Sequence, residues 1–206
     1  NAQQQILEIA EMLNGQVSAK TKYTYDEQGA ISVKKVFAAG GGVKATFTFI
    51  YNEKMELARI DCAKDETYGA DFSTYKSITY RYNAQKLPIE IVYDMGGYKN
   101  TTKYGYDAQG NLTEEYAISD MPGDNMNVGS YKYYTYNENR QITEIVYKNI
   151  DAKILKRESF TYDHMDQLTH HSQLTVGGKV ISYVHYTSFD DEGNWLKATT
   201  YEGSKV

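Results

Sequence analysis

Four histidines, an acidic run, an acidic pair and a run of glycines are the residues of this 206-residue chain whose types could support chemistry. The neighbours His170 and His171 point to opposite faces of a strand, because side chains alternate there, so they cannot share one metal ion without a bulge. With His164 and His185 they read as surface or half-buried strand histidines. Asp190-Asp191-Glu192-Gly193-Asn194 has the composition of a hard-cation loop without the alternating spacing of oxygen ligands that a calcium loop uses, and reads as a turn. Glu114 and Glu115 face apart on a strand, and no carboxylate partner at glycosidase separation can be named from the sequence. Gly40-Gly41-Gly42 lacks the Lys-Ser/Thr and the helix that follow a phosphate loop, and reads as a flexible hairpin connection. No cofactor, metal or catalytic set is expected, and the chain does not read as an enzyme.

Tyrosine is the unusual feature: 21 Tyr against 6 Phe and 1 Trp. Flat rings flanked by Asn, Gln and Thr can stack on sugars or grip a peptide. Packing explains most of these rings. Those set beside the longer connections, Tyr68, Tyr75, Tyr98 and Tyr131, are the candidate binding residues.

The elements that must position them follow one motif. In Tyr104-Gly105-Tyr106-Asp107-Ala108-Gln109-Gly110-Asn111-Leu112 the two rings fall on one face of a strand, and the residues after Tyr106 read as a type I turn with glycine in the left-handed position. Tyr106 then faces Leu112 across a three-residue loop. The Asp or Asn recurs at positions 26, 52, 83, 137, 163 and 190, at intervals of 24 to 31 residues. The pairs expected to face each other are Tyr25 with Ile31, Tyr51 with Leu57, Tyr136 with Ile142, Tyr162 with Leu168 and Phe189 with Trp195. At Asn83 the apolar Leu87 arrives one residue early, which predicts a shorter turn. Gly29, Gly110 and Gly193 suit the left-handed position, while Met55, Arg140 and Asp166 replace glycine and predict strained or differently shaped tips.

Strands entering the tips, such as Phe47-Thr-Phe49 and Tyr134-Thr-Tyr136, are aromatic on one face and mostly Thr, Lys or Arg on the other. One face is expected to be core and the other wet. Residues 3–14 break the pattern: Ile6, Ile9, Ala10 and Leu13 recur at helical spacing and Gly15 follows as a stop, which predicts one short N-terminal helix. The fold class expected is all-β: about fourteen antiparallel strands from seven hairpins over residues 20–201, a meander curled into an open or closed barrel-like sheet.

Length and the lack of a Pro, Gly or Ser-rich linker predict a single domain over 1–206. A net charge of −5 argues against a nucleic-acid partner, since counterion release needs clustered Lys and Arg. No long apolar run supplies a membrane helix, and the Thr, Lys and Glu opposite the tyrosines are not a lipid-facing band, so the chain is not expected to span a membrane. Cys62 is the only cysteine, so the chain has no intramolecular disulfide, and it reads as a small buried side chain.

The repeat at 104–112 and its degenerate copies resemble the YD repeat of Rhs proteins and teneurins over roughly residues 20–201. In those families the hairpins coil into a hollow shell, so the resemblance implies architecture and brings no catalytic residue with it. The units here are longer than a typical YD repeat, and seven are too few to close such a shell. In size and in the short leading helix expected of it, the chain is more similar to small secreted or lipid-anchored proteins of unknown function from gut Bacteroidetes described as having a porin-like fold. That resemblance implies an extracellular, periplasmic or outer-membrane placement, with a possible lipid anchor upstream of residue 1. The functional expectation is a non-catalytic binding or scaffold module for a glycan or protein. The alternative is a glycan hydrolase with carboxylates inside the curled sheet, and a hollow that shields a small hydrophobic ligand is a third, weaker expectation.

Overall fold

The computed structural model describes residues 5–65, 75–122 and 129–203. The described residues form fifteen strands and no helix: β1 (Glu8–Leu13), β2 (Gln16–Tyr25), β3 (Ile31–Ala38), β4 (Val43–Tyr51), β5 (Leu57–Lys64), β6 (Ser77–Tyr82), β7 (Pro88–Asp94), β8 (Lys99–Tyr106), β9 (Leu112–Ser119), β10 (Gly129–Tyr136), β11 (Ile142–Asn149), β12 (Ile154–Tyr162), β13 (Leu168–Leu174), β14 (Val180–Phe189) and β15 (Trp195–Glu202). Strand order is chain order from β1 to β15, an antiparallel meander whose two ends are not joined. The closed alternative does not form. Among the described residues no helix is long and apolar enough to cross a membrane.

The expected N-terminal helix is replaced, over its described part, by strand β1. The cause lies in Asn14-Gly15. Both residues have positive φ, 50° and 77°, and Leu13 pairs with Gln16 across them. This is the two-residue turn that Asn-Gly favours most, because its twist matches that of the strands it joins. Gly15 therefore closes a hairpin and does not stop a helix. Once the turn forms, β2 supplies β1 with ladder partners from Glu8–Lys22 to Leu13–Gln16, and the weak helical preference of the segment loses.

Each tip uses the same chemistry. At Asp26 the backbone N–H bonds the Ala30 carbonyl at 2.8 Å and the Gly29 N–H bonds the Asp26 carbonyl at 3.1 Å. The Asp26 carboxylate accepts from the N–H groups of Gln28 and Ala30. Asn52, Asn83, Asp107, Asn137, Asp163 and Asp190 repeat these backbone bonds. That shared acceptor oxygen is why Asp and Asn interchange here. The tip at Asn83 has the common length after all: Asn83 bonds Leu87, and Tyr82 faces Pro88. Met55, Lys86, Arg140 and Asp166 take φ of 60° to 62°, so these tips keep the shape of the glycine tips and bear its cost. The paired residues are as expected, with Tyr25 opposite Ile31, Tyr51 opposite Leu57, Tyr136 opposite Ile142, Tyr162 opposite Leu168 and Phe189 opposite Trp195.

The chain divides into two units, Asn1–Thr101 and Thr102–Val206. In the first, Val36, Ala45, Phe47, Ile60 and Ile78 are buried, with Phe49, Cys62, Tyr80 and Tyr93 half-buried around them. Register explains this grouping: Val36 faces Ala45, Phe47 faces Cys62, Phe49 faces Ile60 and Ile60 faces Ile78. In the second unit most described side chains of β9 to β13 are half-buried on both faces, so the expected division into a core face and a wet face does not hold there. Tyrosine suits this environment, since its ring packs while its hydroxyl bonds.

Candidate functional site

The tip tyrosines do a second job. Tyr25 donates its hydroxyl to the Ile6 carbonyl at 2.8 Å, Tyr51 to Ile31 at 3.0 Å and Tyr82 to Leu57 at 2.9 Å in the first unit. Tyr136 donates to Leu112 at 2.8 Å and Tyr162 to Ile142 at 2.9 Å in the second. Tyr51, Tyr82, Tyr136 and Tyr162 thus bond the first residue of the strand that leaves the tip before, and Tyr25 bonds Ile6, two residues ahead of β1. Burial pushes the Tyr51, Tyr82, Tyr136 and Tyr162 hydroxyls above the usual phenol range, so all four remain donors at neutral pH. These rings hold neighbouring strands together, and Tyr51 and Tyr82 also line a surface hollow with Asn52, Glu53, Lys54 and Glu56.

A different set of tyrosines stands on the opposite parity of β10. In Tyr131-Lys132-Tyr133-Tyr134-Thr135-Tyr136, the rings of Tyr134 and Tyr136 share the tip face, which leaves Tyr131 and Tyr133 on the other. Tyr131 pairs with Tyr116 of β9, and their rings stack with centroids 4.4 Å apart at 21°. Tyr133 lies beside Tyr131 at 6.1 Å and 12°, and Lys148 Nζ sits 4.5 Å above the Tyr133 ring. The three rings form a half-buried row.

Gly105 opens a hollow at the end of this row. Its lining is Lys103, Tyr104, Gly105, Glu114, Tyr116 and Tyr131, and its volume is about 220 Å³. A Cβ on Gly105 would lie 3.3 Å from Glu114 Cβ and 3.7 Å from Thr113 Oγ1, so any larger residue would begin to fill it. Burial, then the charge of Glu114 and a hydrogen bond to it, raise the Tyr133 hydroxyl above its usual range. Glu115 turns to the other face, where it pairs with Lys132 at 2.7 Å and accepts from the Tyr134 hydroxyl at 3.4 Å. The two adjacent glutamates therefore serve different faces, as strand alternation requires.

A second group of rings lies on β13 to β15. His170 and His185 pair across strands and stack at 4.3 Å and 11°, with Tyr183 at 6.2 Å from His170 and Tyr201 stacked on Tyr183 at 4.5 Å. Burial, then the neighbouring His185, hold His170 below the usual imidazole range. His171 turns the other way, onto Phe160 at 4.6 Å and to Glu158 at 3.3 Å. Among the described residues no three His, Cys, Asp or Glu side chains gather as metal ligands would. Asp190 accepts from the Glu192 and Asn194 N–H groups and the Asn194 amide, and these donors hold its carboxyl below the usual range.

Of the candidate binding residues, Tyr131 lies at the centre of the stacked row. Tyr75 packs against the first unit's core, 6.4 Å from Phe47 and 6.1 Å from Tyr93. Tyr98 is half-buried after β7, where its carbonyl accepts from the Met95 N–H. Tyr68 lies outside the described residues. The sequence reading missed Tyr116, Tyr133 and the His170–His185 pair. For Tyr133 the signal was present, since tyrosines at both parities of one strand cannot all face one side. For the other three it needed the register between neighbouring strands.

No protein-family model matches the chain, and no curated protein sequence does. Among solved structures it is similar to part of the TcdB2–TccC3 complex, at 11% identity and a TM-score of 0.43, over 88% of this chain and 13% of that one. It is similar at the same identity and TM-score to part of a Photorhabdus luminescens Tc holotoxin pore structure, over 84% of this chain and 12% of that one. The chain thus spans about an eighth of the length of the chains it matches.

Proposed function

We propose that the chain is a non-catalytic binding module, secreted or held at a cell surface, that takes a glycan on the tyrosine row of its second unit. The observation that carries this reading is the stack of Tyr116, Tyr131 and Tyr133 ending at the Gly105 hollow. Aromatic faces accept the C–H faces of sugar rings, and the polar rim of Lys103 and Glu114 suits hydroxyls. The rings are already stacked on one another, so little side-chain entropy remains to be lost on binding. The extracellular placement rests on the resemblance to small secreted or lipid-anchored proteins of gut Bacteroidetes.

The test is a glycan array probed with the full chain, followed by calorimetry on any hit with Tyr131→Ala. Retained binding in that variant, or a blank array, would remove the glycan reading. Release of new reducing ends from a bound glycan would favour the hydrolase alternative.

A further inference from the structure

One turn lacks a part that its counterparts share. Residues 38–42, between β3 and β4, have the tip geometry: the Ala38 N–H bonds the Gly42 carbonyl at 2.8 Å, the Gly41 N–H bonds the Ala38 carbonyl at 2.9 Å, and Gly41 takes φ 86°. In every other described turn with these two bonds the first residue is Asp, Asn or Thr, and its side-chain oxygen accepts from the N–H of the fifth residue. At Asp26, Asn52, Asn83, Asp107, Asp163 and Asp190 the same oxygen also accepts from the third residue's N–H. Ala38 has no such oxygen. The N–H groups of Gly40 and Gly42 therefore lack the acceptor that their counterparts have.

Ala38 borders a hollow of about 360 Å³, a volume usual for small-molecule pockets. Val17 and Phe37 give the hollow an apolar wall, Lys20 and Lys22 stand at its rim, and Gly41 lines it without a side chain. A Cβ on Gly41 would meet nothing within 4 Å, so the hollow is open at the turn. Lys20 pairs with Phe37 across β2 and β3, and Lys22 Nζ lies 5.8 Å above the Phe37 ring. Glu8 reaches Lys20 at 3.1 Å and Lys22 at 3.4 Å. One carboxylate is thus set against two ammonium groups with donors to spare, which leaves positive charge for a second anion.

The other turns show what fits. In Asp107 and Asp190 one carboxylate oxygen takes two backbone N–H groups, while the second takes the side-chain amide of Asn111 or Asn194. A free carboxylate at residues 38–42 would meet the same backbone pair, with a lysine ammonium in the place of the amide, and would lay its apolar part along Val17 and Phe37. We propose that this hollow binds a small organic carboxylate with an apolar body, of the class of a medium-chain fatty acid, whose carboxylate supplies the acceptor that Ala38 lacks. Gly40-Gly41-Gly42 then serves an anion through its backbone N–H groups, as turns with converging N–H groups do, without being a phosphate loop. The site lies in the first unit and is independent of the tyrosine row.

The probe is sodium octanoate, titrated into the full chain with backbone amide resonances followed at single residues. Saturable shifts should be largest at Gly40 and Gly42. Octanol, which has the chain without the charge, and acetate, which has the charge without the chain, should each bind at least tenfold more weakly. Ala38→Asn restores the oxygen found in the other turns and changes no charge, so it should weaken octanoate binding at least tenfold while the turn keeps its fold. Lys22→Gln should weaken binding and Glu8→Gln should tighten it, each at least threefold. No saturable shift at Gly40 and Gly42, equal binding by Ala38→Asn, octanol or acetate bound as tightly as octanoate, or unchanged binding in both charge variants would each overturn the proposal.

Discussion

The hydroxyl of Tyr51, at the end of the strand that enters its tip, donates at 3.0 Å to the carbonyl of Ile31, the first residue of the neighbouring strand that leaves the tip before. The same bond recurs at Tyr25, Tyr82, Tyr136 and Tyr162, so neighbouring strands are tied at these tips by a hydrogen bond as well as by packing. This gives tyrosine, and not phenylalanine, a reason to be the common tip aromatic.

Tyr51→Phe keeps the ring and deletes the rung, so it should cost about 1 kcal/mol in urea unfolding, the usual net worth of such a bond. Phe189 is the natural counterpart, a tip whose ring has no hydroxyl. Phe189→Tyr should place a hydroxyl near the Leu168 carbonyl and recover a similar amount. Unchanged stability in both variants would show the rungs to be passive.

The phenol groups of Tyr51, Tyr82, Tyr136 and Tyr162 are all shifted upward, by burial first, and for Tyr51, Tyr82 and Tyr136 by a nearby Asp26, Glu56 and Asp107 respectively. The folded state then keeps protons that the unfolded state releases above a pH of about 10. Stability should be level up to that pH and fall as pH rises through the folded values, with a shallower fall in Tyr51→Phe. Urea titrations from neutral to strongly alkaline pH check this, and a rise on the alkaline side would contradict it.

Met55 holds a left-handed φ of 60° and its side chain is largely exposed. Met55→Gly should therefore raise stability by roughly 1 kcal/mol, the cost of that conformation for an L-residue offset by the entropy of glycine. Gly29→Ala, at φ 86°, should lower it by a similar amount. Thermal denaturation of the two variants reads both signs.

Tyr131 stacks on Tyr116 and approaches Tyr133, so Tyr131→Ala should weaken glycan binding at least tenfold and leave the fold intact. Gly105→Val should weaken it too, since the new side chain would fill the hollow beside Glu114. Loss in the first variant with none in the second would confine the ligand to the ring faces and away from the hollow.

The hairpin tips were legible in the sequence because turn chemistry and strand alternation act within a few residues: an Asp or Asn acceptor, three loop residues, an aromatic and its apolar partner. That local rule placed Tyr51 opposite Leu57 and Phe189 opposite Trp195 without reference to the rest of the chain. It erred at Asn83, where Leu87 looked like the partner and Pro88 takes that place. The first segment was lost for a related reason, since Ile6, Ile9, Ala10 and Leu13 fit a helical stripe as well as an edge strand. Only the ladder to β2, closed by Asn14-Gly15, decides between the two. Tertiary structure alone brought Tyr116 onto Tyr131 and His170 onto His185, and turned Tyr75 into the core. Those contacts depend on how neighbouring strands are staggered, and the stagger emerges only when separate hairpins pair.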